Sequence, residues 1–159
     1  MPGLPKPFSP QGGRQSETAH IVARGTRRLL RRLNFSTVAE LPLHSGRRAD
    51  IVALAMDATI FIVEIKSSVA DFRADAKWRD YRAHCDGLFF AIPETVPIEI
   101  MPEDAGLILA DAYGAEILRQ APEHRIAAAT RRALLIRFAH AAAQRLHRLS
   151  DPEVVARGG

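Results

Sequence analysis

The stretch ADIVALAMDATIFIVEIKSS, residues 49–68, contains two apolar runs separated by a short break and carries most of its charge at the outer ends. ADIVALA (49–55) and TIFIVEI (59–65) are near-continuous in apolar residues, the pattern of strands buried on both faces. The MDAT between them predicts a hairpin. Asp50 begins the first strand, and Glu64 and Lys66 end the second, so the hairpin returns Asp50 to the neighbourhood of Glu64. Residues two apart on a strand share a face, which points Glu64 and Lys66 the same way. Whether Asp50 joins them is a matter of register. A turn with an even number of residues sets Asp50 opposite Ile65, facing away. An odd loop such as Met56–Asp57–Ala58, or a β-bulge, brings Asp50 onto the shared face.

If the three converge, their chemistry favours a metal. Two carboxylates at the end of apolar strands repel each other and are costly to desolvate. Mg²⁺, or Mn²⁺ in its place, would neutralise Asp50 and Glu64 and take the Ile65 carbonyl as a further oxygen ligand. Such a cation polarises a phosphodiester and acidifies a bound water, while Lys66 orients that water and offsets developing charge. Read alone, however, an acid-x-Lys triplet at a strand end is more often a structural ion pair.

Helical spacing predicts a helix over 16–33 with Ser16 as its N-cap, Ile21, Val22, Gly25, Leu29 and Leu33 on its inner side, and an outward arginine stripe of Arg24, Arg27, Arg28, Arg31 and Arg32. STVAELPLH (36–44) predicts a first strand, and residues 71–84 a helix that turns Ala74, Trp78 and Tyr81 inward with Cys85 at its end. GLFFAIP (87–93) predicts a buried strand, and GLILADAYGAEIL (106–118) two short strands joined at Asp111–Gly114. A closing helix over 127–149 is expected to bury Leu135, Phe138, Ala142, Leu146 and Leu149. The order implies an α/β fold, a mixed central sheet flanked by helices, in one domain over 16–149. The Pro- and Gly-rich residues 1–15 and the last residues, from 150, are expected to be tails.

The formal charge of +4 divides unevenly along the 159 residues. Residues 16–33 carry +4 and residues 124–150 carry +6, around a middle (34–123) of −7. Basic flanks suit a phosphate backbone, and clustered acids between them suit a cation. A solvated, arginine-rich surface accounts for the same charges, since Arg outnumbers Lys by 19 to 3. Arg47 and Arg48, beside Asp50, are candidates for further phosphate contacts, as is Lys77 on the following helix. Glu17 is a weaker candidate metal ligand. The single cysteine, Cys85, excludes an intrachain disulfide and a cysteine-rich zinc site. With no hydrophobic leader and no apolar run of membrane-spanning length, the expected location is the cytoplasm, with no membrane partner.

Asp50, then Glu64-Ile65-Lys66 on the next strand, after an N-terminal helix, resembles the PD-(D/E)XK nuclease superfamily, with Ala49 where its usual proline stands. The longer runs GRRADIVAL, FIVEIKSSVADFRADAKWRDYRAHCDGLFFAIP, GLILADAYGAEIL and APEHR are similar to the MmcB family of bacterial DNA repair proteins. The resemblance implies a restriction-endonuclease-like αβββαβ core, with Asp50, Glu64 and Lys66 as catalytic residues and Lys77 supporting them. It implies DNA as partner and a role in DNA repair or damage tolerance beside other repair proteins. On the charge pattern, the stripe that includes Arg24, Arg27, Arg28 and Arg31, or the last helix, would grip that DNA, with Arg47 and Arg48 as further contacts. Cutting both strands of a duplex would call for a homodimer. A module that keeps the fold and binds DNA or protein without cutting fits the same residues.

Overall fold

The computed structural model describes residues 12–152. It is a six-stranded mixed sheet with strands in the order β1-β2-β3-β4-β5-β6, flanked by helices. The strands are β1 (Ser36–Pro42), β2 (Arg48–Leu54), β3 (Ile60–Ile65), β4 (Gly87–Ile92), β5 (Gly106–Ala110) and β6 (Ala115–Arg119). The helices are α1 (Gly12–Arg32), α2 (Val69–Ala74) and α3 (Ala128–Ser150), with 3₁₀ turns at Trp78–His84 and Ile98–Ile100. Adjacent strands are antiparallel except at β3–β4 and β4–β5, whose parallel pairing requires the crossovers through 66–86 and 93–105. GLFFAI, wholly buried, sits between the two parallel pairings, where an uninterrupted apolar run belongs.

The β2–β3 register answers the question raised by the sequence. Ile51 pairs with Val63, Val52 with Ile62, Ala53 with Phe61 and Leu54 with Ile60. Ala55 N donates to Thr59 O at 3.0 Å, which leaves the three-residue loop Met56–Asp57–Ala58. Ala58 takes φ 71°, the left-handed residue that a three-residue hairpin requires. Counted one rung outward from Ile51–Val63, Asp50 stands opposite Glu64.

Two apolar layers enclose the sheet. On one face Val22, Leu29 and Leu30 of α1 pack on Ile51, Val63, Phe89 and Ile108. On the other, Trp78, Tyr81, Leu134 and Phe138 pack on Val52, Ile62, Leu88 and Phe90. The buried face of α1 differs from expectation: Val22, Gly25, Thr26, Leu29 and Leu30 turn inward, whereas Ile21 and Leu33 are exposed. Gly25 sets that rotation, because a Cβ there would stand 2.0 Å from Asp111 O and 2.4 Å from Gly114 O. The helix begins at Gly12, so Ser16 lies within it rather than capping it, and residues 12–15, expected in the tail, are helical. The rest of that expected tail, 1–11, and residues 153–159 lie outside the described residues.

Two further expectations change. The helix predicted over 71–84 is two pieces, because Ser68, in extended conformation, caps Val69–Ala74 by accepting Asp71 N, and Asp75 leaves the helix at φ −96°, ψ 84°. In α3, Leu134 and Phe138 are buried, but Leu146 and Leu149 are 62% and 82% exposed. That helix packs on the edge strand β1 and the Trp78–His84 turn, which cover only its first half.

Asp86 ties the base of the sheet to α3. Its carboxylate accepts Ile60 N at 2.8 Å, Ile126 N at 3.2 Å and the two terminal guanidinium nitrogens of Arg131, at 2.6 and 2.7 Å. Arg131 also donates to Ala58 O at 2.7 Å, holding the hairpin loop. Burial works against the Asp86 anion, but these donors outweigh it and hold its pKa at about 2. The folded-state value lies below the unfolded one, so this stabilisation is present above pH ~4 and is lost as pH falls toward 2. Asp86→Asn is expected to lower stability by about 3 kcal/mol at neutral pH. Urea unfolding across pH 2–6 should also give the variant a flatter acid limb than the parent.

Candidate active site

Beyond the Ile51–Val63 rung the hairpin ladder gives way to side chains. Asp50 N donates to Glu64 Oε1 at 3.1 Å, and Ile65 N donates to Asp50 Oδ2 at 2.8 Å. Here β3 leaves β2 but keeps its other neighbour, with Lys66 N donating to Ala91 O at 3.0 Å. The strands part, and the two carboxylates fill the gap. Glu64 is 3% exposed and Lys66 5%. Burial, together with the charge of Asp50, pushes the Glu64 pKa up to about 9. Burial also raises Asp50, against the lowering effect of the Ile65 N–H. Burial and mutual repulsion both work against ionising the two carboxyl groups together, and a cation between them would relieve both.

Asp50, Glu64, Ile65 and Lys66 line one cleft of about 940 Å³. Its opposite wall is α1, from which Arg24, Arg27, Arg28 and Arg31 face the acids. The helix read as an outward arginine stripe therefore borders the acidic pair, because its apolar face is anchored on the sheet through Gly25. None of these four arginines pairs with a carboxylate among the described residues. Arg27 donates to Thr37 Oγ1 and Arg28 to Tyr113 O, leaving most of each guanidinium for a ligand. Arg48 reaches the same cleft beside Glu40, 3.7 Å away in an exposed and therefore weak pair. Arg32 turns aside toward Ala115 O, and no residue of α3 borders the cleft.

Two expected site residues lie elsewhere. Arg47 turns into the fold, where it meets Asp75 at 3.5 Å, Asp80 at 3.4 Å and the carbonyl of Lys77, with its guanidinium 4.7 Å from the Tyr81 ring. Lys77 falls in the break between α2 and the 3₁₀ turn, exposed and outside the cleft. Glu17 is likewise exposed and does not reach the cleft. His140 and His147 are exposed on α3, and Cys85 is fully buried, its thiol pushed up to about 12 by burial.

The residue that sequence reasoning missed is Asp75. Its Oδ2 accepts Lys66 Nζ at 2.8 Å, and its Oδ1 accepts Lys77 N at 3.2 Å. Burial opposes its anion, but Lys66, the Lys77 N–H and Arg47 outweigh that and hold its pKa below the usual carboxylate value. Within an unbroken 71–84 helix it would have been one more surface acid. Only the early helix end turns it toward Lys66. Tyr81 completes this side of the cleft, its hydroxyl donating to Arg48 O at 3.1 Å.

As donors for a metal, Asp50 and Glu64 supply two carboxylates, each with one oxygen engaged by a backbone N–H. No group of three or more His, Cys, Asp or Glu placed to hold a metal occurs among the described residues. The pair fits Mg²⁺, which is commonly bound through one or two carboxylates with water and substrate phosphate completing its shell.

Removing Asp75 leaves the Lys66 ammonium buried without a counter-charge. Asp75→Ala is expected to cost about 3 kcal/mol in chemical denaturation, and the double variant Asp75→Ala/Lys66→Met less than that. A double variant as unstable as the single one would show that the ion pair is not what Asp75 supplies.

A search of curated proteins returned no match. Among solved structures, the SPO1766 protein of Silicibacter pomeroyi, described as of unknown function, is 45% identical and superposes with a TM-score of 0.82, covering 86% of this chain and 93% of its own. Among the described residues no helix is long and apolar enough to cross a membrane. The family model "DNA repair protein MmcB-like" matches residues 6–153, nearly the whole length, and the chain belongs to that family.

Proposed function

We propose that this protein is a Mg²⁺-dependent deoxyribonuclease of the PD-(D/E)XK type, hydrolysing phosphodiester bonds in DNA repair. The observation that carries this reading is the hairpin register, which sets Asp50 against Glu64 at the floor of an arginine-walled cleft. Membership of a DNA repair family supports DNA as the polymer.

Asp50 and Glu64, with the Ile65 carbonyl, would hold the cation, and Mn²⁺ would suit the same oxygens. When bound, the cation supplies a polarised phosphate and a water acidified enough to attack it. The protein's own groups do the rest. Lys66, a compact charge at the end of β3, orients the attacking water and offsets charge developing on the phosphate. Asp75 keeps the Lys66 ammonium in place through their contact at 2.8 Å. Arg24, Arg27, Arg28, Arg31 and Arg48 hold neighbouring phosphates, a term that weakens steeply with salt.

A second reading, a DNA- or protein-binding module that does not cut, is favoured by one feature: Lys66 is already engaged by Asp75 at 2.8 Å. Incubation of the purified protein with single-stranded, duplex and nicked DNA, in Mg²⁺ or EDTA, separates the two. Cleavage in Mg²⁺ but not EDTA is expected. Asp50→Ala, Glu64→Gln and Lys66→Ala are each expected to reduce the rate at least ~100-fold, as loss of a group that stabilises the transition state does. Cleavage that persists in Asp50→Ala would place the chemistry elsewhere, and binding without any cleavage would support the module.

A further inference from the structure

A second hollow, of about 580 Å³, lies beside the cleft and shares Arg27 and Arg31 with it. Its remaining lining is Asn34, Phe35, Ser36, Thr37 and Met56, so it contains two cations and no acid. The two hollows are therefore joined along α1 by arginines that face both. Arg24, Arg27 and Arg31 are three and four residues apart, which on a helix is a rise of about 4.5 and 6 Å. Those intervals are of the order of the step between successive phosphates in an unstacked strand.

The apolar members of the hollow are unusual for a surface. Met56, at the hairpin tip, is 97% exposed. Phe35 is half-buried, and one face of its ring rests on Phe61, centroids 5.1 Å apart and planes inclined by 27°. The strongly positive α1 wall thus ends against an aromatic ring braced from behind and a polarisable thioether. Arginines beside an aromatic platform are how proteins hold nucleic acid whose bases are unpaired, the cations on phosphates and the ring on a base face. A duplex keeps those base faces stacked inside and offers the hollow only phosphate.

We propose that this hollow is a binding site for an unpaired nucleotide, so that a single DNA strand runs from the Asp50–Glu64 floor along α1 to Phe35 and Met56. The proposal rests on reading the cleft as the place where a DNA phosphate is held. It deepens that reading by naming single-stranded DNA, a flap or a frayed end as the substrate class. Arg27 and Arg31 take the phosphates between the two hollows, Phe35 stacks on a base, and Met56 closes over its edge.

Fluorescence anisotropy with a labelled oligothymidylate of about 15 nucleotides, long enough to span both hollows, tests this in EDTA. Binding is then read without cleavage, so a failed nuclease reading leaves this experiment intact. The full chain is expected to bind the single strand more tightly than a duplex of equal length. Phe35→Ala tests the platform directly, and Met56→Ala tests the same hollow at a side chain that packs against almost nothing. Arg31→Ala tests the junction. Phe35→Ala is expected to weaken single-strand binding by about five-fold or more, the loss typical of a stacked base, and Met56→Ala and Arg31→Ala to weaken it measurably, by about two-fold or more. Arg137→Ala, on the exposed side of α3, should leave binding unchanged. Equal affinity for duplex, or Met56→Ala and Arg31→Ala binding like the parent, would overturn the proposal. So would competition by polyglutamate as effective as that by unlabelled oligothymidylate, since the hollow would then recognise charge alone.

Discussion

Three residues, Met56, Asp57 and Ala58, set the parity of the β2–β3 hairpin, and much else in the molecule follows from it. An odd loop aligns Asp50 with Glu64, and a loop one residue longer or shorter would turn Asp50 to the opposite face. The loop is held by the left-handed conformation of Ala58, by Thr59 N donating to Asp57 Oδ1, and by Arg131 of α3 on the Ala58 carbonyl. The helix farthest along the chain thus fixes a turn whose effect is felt at the other end of the strands.

The two ends of β3 show opposite electrostatic solutions. At its start Asp86 meets two backbone N–H groups and a bidentate guanidinium, and its pKa falls to about 2. At its end Glu64 meets one N–H and another carboxylate, and its pKa rises to about 9. The first arrangement is compensated and structural. The second leaves a buried acid whose ionisation an added cation would favour, a burden that folds tend to tolerate where it serves chemistry. The ammonium of Lys66, at the same strand end, is paired with Asp75 at 2.8 Å rather than with either acid. One end of the sheet is therefore electrostatically compensated, and the other is left with a buried acidic pair.

Most strands, and the acids that stand at their ends, were legible in the sequence because their signals are local. Continuous apolar runs mark β2, β3 and β4, and acids at the ends of such runs stand out against them. The errors have a common cause. Ile21 and Leu33 were assigned inward because helical periodicity gives a stripe but not its centre. A backbone contact at Gly25 chose Val22, Thr26 and Leu30 instead. Leu146 and Leu149 were assigned inward because apolar spacing does not reveal where the sheet beneath a helix ends. Asp75 does not stand out in the sequence, because its partners Lys66 and Arg47 lie 9 and 28 positions away and meet it only in the folded chain.

The sequence by itself determined the succession of elements along the chain, the buried apolar strands, the basic first helix and the presence of acids where β2 begins and β3 ends, since each depends on neighbouring residues along the chain. Only the tertiary structure decided that Asp50 and Glu64 meet, that Lys66 is held by Asp75, and that the arginines of α1 border the same cleft. Those outcomes turn on the parity of one loop, the exit of one helix and the seating of another on a glycine. Each is a choice between conformations whose local propensities are close, so long-range packing and charge pairing select among them.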